Sequence, residues 1–184
     1  RSFVSTSRYE DATLTSTGLS CIGISNTPGS DHYFINSSCP IGNDIISGGD
    51  TFGNITLRGT SFDESAFGMP SGDVYIEWYL RTFVNTSTGP VENATVLIED
   101  TAGTIVFNGT TDAQGFSAWD WYRQHEWNQT AFTNSLTPYN ITINNSGFGT
   151  LTRSVNLTTT RTENFTLSAA SADIALISDR KSVV

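Results

Sequence analysis

Between residues 74 and 84, hydrophobic positions alternate with polar and aromatic ones. Val74, Ile76, Trp78, Leu80 and Val84 fall on one face, and Tyr75, Glu77, Tyr79, Arg81 and Phe83 on the other. A period of two predicts one long strand, and the aromatic second face predicts partial cover on that side too. Thr86-Ser87-Thr88-Gly89-Pro90 reads as a turn. A second strand follows over Val91 to Glu99, with Ala94, Val96 and Ile98 inward. Asp100-Thr101-Ala102-Gly103 turns into a strand over 104–107, and Thr111-Asp112-Ala113-Gln114-Gly115 into one over 116–121. The last strands are predicted over 139–144, 151–158 and 164–167. Seven short strands with turn signals between them predict an antiparallel β-sandwich over residues 73–168.

Residues 1–72 show no helical period. Short apolar pairs recur among polar residues in Ser2-Phe3-Val4-Ser5-Thr6-Ser7, Phe34-Ile35-Asn36-Ser37-Ser38 and Leu57-Arg58-Gly59-Thr60-Ser61-Phe62. The last two begin 23 residues apart, a fitting length for one coil of a parallel β-helix. Asp44-Ile45-Ile46 and Asn54-Ile55-Thr56-Leu57 supply further short strands. The expectation is terminal β-helix rungs; irregular loops of a sandwich are the other reading of the same segments. Residues 169–178 are small and apolar, without turn chemistry, and read as a linker or the start of a further strand.

Composition sharpens the picture. Ten of fourteen asparagines open Asn-x-Ser/Thr sequons: Asn36, Asn54, Asn85, Asn93, Asn108, Asn128, Asn140, Asn144, Asn156 and Asn164. With 49 Ser and Thr in 184 residues, chance gives roughly four. One reading is an extracellular, N-glycosylated surface. The other is a by-product of strand patterning. In Asn54-Ile55-Thr56, Asn93-Ala94-Thr95, Asn140-Ile141-Thr142, Asn156-Leu157-Thr158 and Asn164-Phe165-Thr166, Asn and Thr share one face and the apolar middle residue takes the other. Both readings expose the asparagines.

The chain carries a net charge of −9 and no basic stripe, which excludes nucleic acid as a partner. No stretch approaches the length of a transmembrane helix. Cys21 and Cys39, the only cysteines, form either one disulfide or two separate thiols; their spacing matches no zinc pattern. The chain starts at Arg1 without methionine, which reads as a fragment lacking its upstream part. Asp179-Arg180-Lys181-Ser182-Val183-Val184 holds the only lysine and can be encoded by a string that looks like a common sequencing adapter. The expectation is a natural chain that continues beyond Ser178, with 169–184 a linker and an adapter-derived tail.

Candidate chemistry is sparse. His32 and His125 are the only histidines, and neither lies in a nucleophile elbow or a HExxH motif. Asp31, Asp44, Asp50, Asp63, Glu64 and Asp73 are scattered, whereas glycosidases need two converging carboxylates. Asp63-Glu64 offers at most weak Ca²⁺ binding, with no EF-hand loop. No cofactor is expected. Trp119, Trp121 and Trp127 are the candidate carbohydrate contacts, with Trp119 and Trp121 on one strand face and Tyr122 on the other. Core packing is the competing role for these rings. Arg123-Gln124-His125-Glu126 reads as an exposed polar loop.

Gly89 to Val96, Asp100 to Gly103, Thr110 to Phe116, Tyr139 to Ile143 and Gly147-Phe148 together resemble the carboxypeptidase regulatory-like, or Ig-like, sandwich family. The long polar segment 122–137 departs from the short turn of that family. Asn54 to Leu57, Thr60 to Phe62 and Tyr75 to Leu80 resemble the C-terminal end of archaeal-type surface proteins with right-handed parallel β-helices. Within the turn signature, Asp112 accepts bonds from backbone groups two or three residues on, and Gly115 takes positive φ. The resemblance implies an all-β chain: terminal parallel β-helix rungs (1–72), then an antiparallel Ig-like β-sandwich (73–168). It implies a non-catalytic structural or adhesive module of a secreted or cell-surface glycoprotein, meeting polysaccharide or other surface proteins. The alternative is the carbohydrate-binding accessory end of a β-helix polysaccharide-active enzyme.

Overall fold

The computed structural model describes residues 6–11, 20–23, 31–38, 44–47, 53–60, 73–128, 132–133 and 135–168. Among them every regular element is a strand. Five short strands come first: β1 (Thr6–Glu10), β2 (Ser20–Gly23), β3 (Asp31–Ile35), β4 (Asp44–Ser47) and β5 (Ile55–Arg58). Then come β6 (Asp73–Thr86), β7 (Gly89–Pro90), β8 (Thr95–Glu99), β9 (Ile105–Thr110) and β10 (Asp120–Asn128). β11 (Phe132–Thr133), β12 (Tyr139–Asn145), β13 (Gly149–Val155) and β14 (Arg161–Thr166) complete the set.

The first half is parallel. β1, β3, β5 and β6 lie side by side in that order, all parallel, while β2 and β4 pair parallel in a sheet of their own. The chain thus alternates between two sheets as it climbs. Phe34 pairs with Leu57 and Ile35 with Arg58, the 23-residue repeat visible in the sequence. In the preceding strand of this sheet, Tyr9 stands opposite Phe34. The two rings stack at 4.9 Å, and Phe34, Leu57 and Ile76 continue a buried column below Tyr9.

β1, β3 and β5 each end in the same kind of corner. Asp11, Asn36 and Gly59 all take left-handed φ, at 49°, 50° and 56°. Their amides donate to Ile35, Arg58 and Glu77 carbonyls at 2.8–3.0 Å. Asp, Asn and Gly are the residues that tolerate this conformation best, so the chain turns at one height after each of these parallel strands.

β6 belongs to both halves. Its first residues pair with β5 and with β10, on opposite edges. Beyond Leu80, β14 takes over the β5 edge, pairing parallel from Arg161↔Leu80 to Thr166↔Asn85. The remaining strands form an antiparallel sheet in the order β13-β12-β8-β9. One core joins the two layers: Leu80, Val84, Tyr122 and Phe165 from one side, Val96, Ile98, Ile141, Ile143 and Val155 from the other.

Most of the alternation predicted for β6 and β8 is present. Val74, Ile76, Leu80 and Val84 are buried, as are Ala94, Val96 and Ile98. Three expectations are corrected. β14 is parallel to β6 rather than antiparallel, and it occupies the edge of β6 left open where β5 ends. Residues 116–119 are not a strand: Phe116 bridges Phe83, Ser117 bonds Thr82 through both its amide and its hydroxyl, and regular pairing starts at Asp120. The segment read as an exposed loop, Arg123-Gln124-His125-Glu126, lies inside β10. A bulge between Arg123 and His125 accommodates it. Gln124 is buried there and accepts from the Trp78 indole N–H, which satisfies two polar groups at once.

Candidate binding face

The outer side of β6 presents Tyr75, Glu77, Tyr79, Arg81 and Phe83, flanked by rings and arginines from four other segments. Antiparallel pairing sets Trp121 of β10 opposite Tyr79, and Arg123 opposite Glu77. Parallel pairing brings Arg58 of β5 beside Glu77 and Thr162 of β14 beside Arg81. Directly opposed residues share a face and touch.

The contacts form a continuous stripe. The Arg58 guanidinium lies 5.4 Å from the Tyr33 ring centroid and 5.3 Å from that of Trp121. Trp121 stacks on Tyr79 at 3.2 Å, and Trp119 meets Tyr79 edge-on at 5.8 Å. Arg81 is held between Trp119 at 4.3 Å and Phe116 at 4.0 Å, and Phe116 packs on Phe83 at 4.8 Å. Arg123 covers Tyr75 at 3.7 Å. Each such cation–ring pair contributes on the order of 0.5–2 kcal/mol, so the stripe is a pre-formed surface.

Charge on this face is nearly balanced. Glu77 is almost buried, with Arg58 Nε at 2.7 Å and Arg123 Nη2 at 3.7 Å; Arg123 also reaches Glu126 at 3.4 Å. Burial, with Asp73 and Glu126 adding, pushes the Tyr75 phenol up against the opposing effect of Arg123. Its ring stays neutral through ordinary pH. Tyr122 and Tyr139, on the core side, are pushed up chiefly by burial.

A pocket of about 320 Å³ opens beside Tyr79, Trp119 and Thr160. Trp119 is 44% exposed. Thr160, on the wall of the pocket, also stands near the Gly59 corner of the first half, which approaches Trp121 as well. A Cβ on Gly59 would stand 2.8 Å from Asn36 Oδ1, with Thr160 Oγ1 at 3.7 Å and Trp121 Cη2 at 3.9 Å. A larger residue at this positive φ would have to displace the Asn36 side chain.

Of the predicted sugar contacts, the structure brings Trp119 and Trp121 together at Tyr79. Trp127 follows the bulge and pairs with Val74 rather than continuing the Trp121 alternation; its side chain lies outside the described residues. Tyr79, Arg58 and Arg81 were missed as site residues. For Tyr79 and Arg81 the signal was the ring–charge alternation on the second face of β6, read only as cover; Arg58, on β5, joins them through strand pairing alone.

The sequon asparagines Asn36, Asn93, Asn108, Asn140, Asn144, Asn156 and Asn164 are exposed, while Asn54 and Asn85 are half-buried and the Asn128 side chain lies outside the described residues. The middle residues Ile55, Ala94, Ile141, Leu157 and Phe165 are at most 1% exposed, as strand parity requires. Asn85 departs from the pattern: its Oδ1 is buried without a partner. Asn156 accepts a bond from Thr137 at 3.0 Å.

No group of three or more His, Cys, Asp or Glu fit for a metal exists among the described residues. The weak Ca²⁺ pair Asp63-Glu64 lies outside them, as does Cys39, and with it the Cys21–Cys39 pairing. His32 sits in β3 between Ser7 of β1 and the buried Ile55 of β5, with its Nε2 buried and unpartnered, and desolvation lowers its pKa against the opposing pull of Asp31. No helix among the described residues is long and apolar enough to cross a membrane.

An all-β chain of two joined halves, with an aromatic–arginine face across the seam, is what fold and site define. No family model and no curated protein matches it. Among solved structures, the Bacillus anthracis TIE protein is similar at 14% identity and a TM-score of 0.37, over 60% of this chain. The chain spans 18% of that protein's length.

Proposed function

We propose that this chain is a non-catalytic structural or adhesive module of a secreted or cell-surface protein. In this reading β1–β5 are the last rungs of a parallel β-helix and residues 73–168 are an Ig-like sandwich that closes its end. The observation that carries it is β6, one strand that completes the parallel stack and also forms part of the sandwich core. A stack that ended on β5 would leave a row of unpaired backbone groups, a template for aggregation. β6 and β10 cover it. The exposed sequon asparagines fit an extracellular, glycosylated surface. The test is to incubate the chain with a panel of polysaccharides and follow retention and new chain ends together. Retention without cleavage, or neither, is expected; steady release of cleaved product would sink the reading.

The carbohydrate-binding alternative, with catalysis elsewhere in a longer enzyme, is favoured by the exposed Trp119 beside Tyr79. Flat rings at a pocket of this size suit the apolar faces of sugars. Quenching of tryptophan fluorescence by oligosaccharides, lost in Trp119→Ala, is its expected signature.

A further inference from the structure

Arg81 is the one described arginine with no carboxylate partner among the described residues. Arg8 meets Glu10, Arg58 meets Glu77, Arg123 meets Glu77 and Glu126, and Arg153 and Arg161 both meet Glu163. In a chain of net charge −9, an unpaired arginine on a half-buried face is unusual. Its guanidinium is nevertheless held in place. Trp119 and Phe116 flank it at 4.3 and 4.0 Å, and Nε donates to Thr162 Oγ1 at 3.3 Å. That leaves both terminal amino groups without a partner among the described residues, in the geometry that receives a carboxylate through two parallel bonds.

The geometry points to one acidic sugar residue, a single uronic acid within an otherwise neutral glycan, as the ligand of this pocket. The sugar lies against Trp119, the ring that both lines the pocket and flanks Arg81, its hydroxyls reach Thr160, and its carboxylate pairs with Arg81 at the pocket's margin. This rests on the carbohydrate-contact reading above and adds the charge of the sugar to it. A polyanion, whether polyphosphate or polyuronate, is disfavoured, because a single unpaired cation cannot offset its repulsion by the acidic chain. A neutral sugar would leave the Arg81 fork unused.

Two probes test it: a trimer of neutral sugars ending in one uronic acid residue, and the same trimer with that carboxyl group reduced to an alcohol. Affinities are read from tryptophan quenching and calorimetry on the whole chain. The acidic trimer is expected to bind about tenfold or more tightly than the reduced one, the range of one charge-assisted paired contact. Arg81→Gln removes that difference and leaves the reduced trimer unchanged; Arg81→Lys restores it in part. Trp119→Ala weakens both. Equal binding of the two trimers overturns the acidic-sugar assignment and leaves a neutral carbohydrate site. Binding of neither overturns the assignment and the carbohydrate reading together. Should Arg81→Gln fail to fold, as read by near-ultraviolet dichroism, the two trimers on the natural chain and on Trp119→Ala decide the matter.

Discussion

At the scale of single residues, two positions carry more than their size suggests. Gly115 has φ +80°, and a Cβ there would stand 2.5 Å from the Val84 carbonyl oxygen. The Asp112 carboxylate holds the same turn by accepting from Gln114 and Phe116 amides, both at 2.9 Å. Gly115→Ala therefore costs at least ~2 kcal/mol in urea unfolding from strain alone. Asp112→Ala, which removes two exposed bonds, costs about 1 kcal/mol. A larger loss in Asp112→Ala than in Gly115→Ala would contradict this account of the turn. His32 sets a pH response. Its folded pKa lies below the unfolded value because burial disfavours the charged imidazolium. The unfolded chain thus binds the extra proton first as pH falls. Stability from this group is complete above about pH 6.5, the unfolded value, and is lost as pH falls through the lower folded pKa. Urea midpoints measured from pH 8 to 5 should decline, and His32→Gln should flatten the decline.

At the scale of elements, β10 shows how one strand serves two faces. Tyr122 points into the core and meets Tyr139 at 5.6 Å, while Trp121 points outward onto Tyr79. The bulge at Gln124 then resets the parity. Outward and inward substitutions should therefore separate cleanly. Ile141→Ala, at a fully buried position of β12, is expected to lose about 2–5 kcal/mol. Trp119→Ala, on the exposed side, should lose less than about 1 kcal/mol by the same denaturation assay. Comparable losses would place Trp119 in the core and remove the binding face. The bulge was not legible beforehand. Arg-Gln-His-Glu has no local preference for a strand, and only pairing with β6 on one side and β11 on the other makes it one.

At the scale of the whole molecule, β6 links the parallel stack to the sandwich without a linker between them. Coupling of that kind predicts one transition. Tryptophan fluorescence, which reports the seam, and far-ultraviolet dichroism, which reports all strands, should give coincident urea curves. Leu57→Ala, buried in the stack, should shift both midpoints equally. Separate transitions would show two independent halves and undo the argument from β6.

Much of this was present in the order of the residues. The alternation along β6, the inward middle residues of five sequons, the 23-residue offset between Phe34 and Leu57, and the Asp112–Gly115 turn all follow from local geometry. A strand shows one side chain in two to each face, whatever lies across from it. The tertiary structure alone decided which strands became neighbours. It set β14 parallel to β6, aligned Tyr9 with Phe34, and gathered Tyr79, Trp119, Arg81 and Arg58 from three segments onto one face. Those outcomes depend on register and on competition for strand edges between residues far apart in the chain. No local pattern encodes that competition.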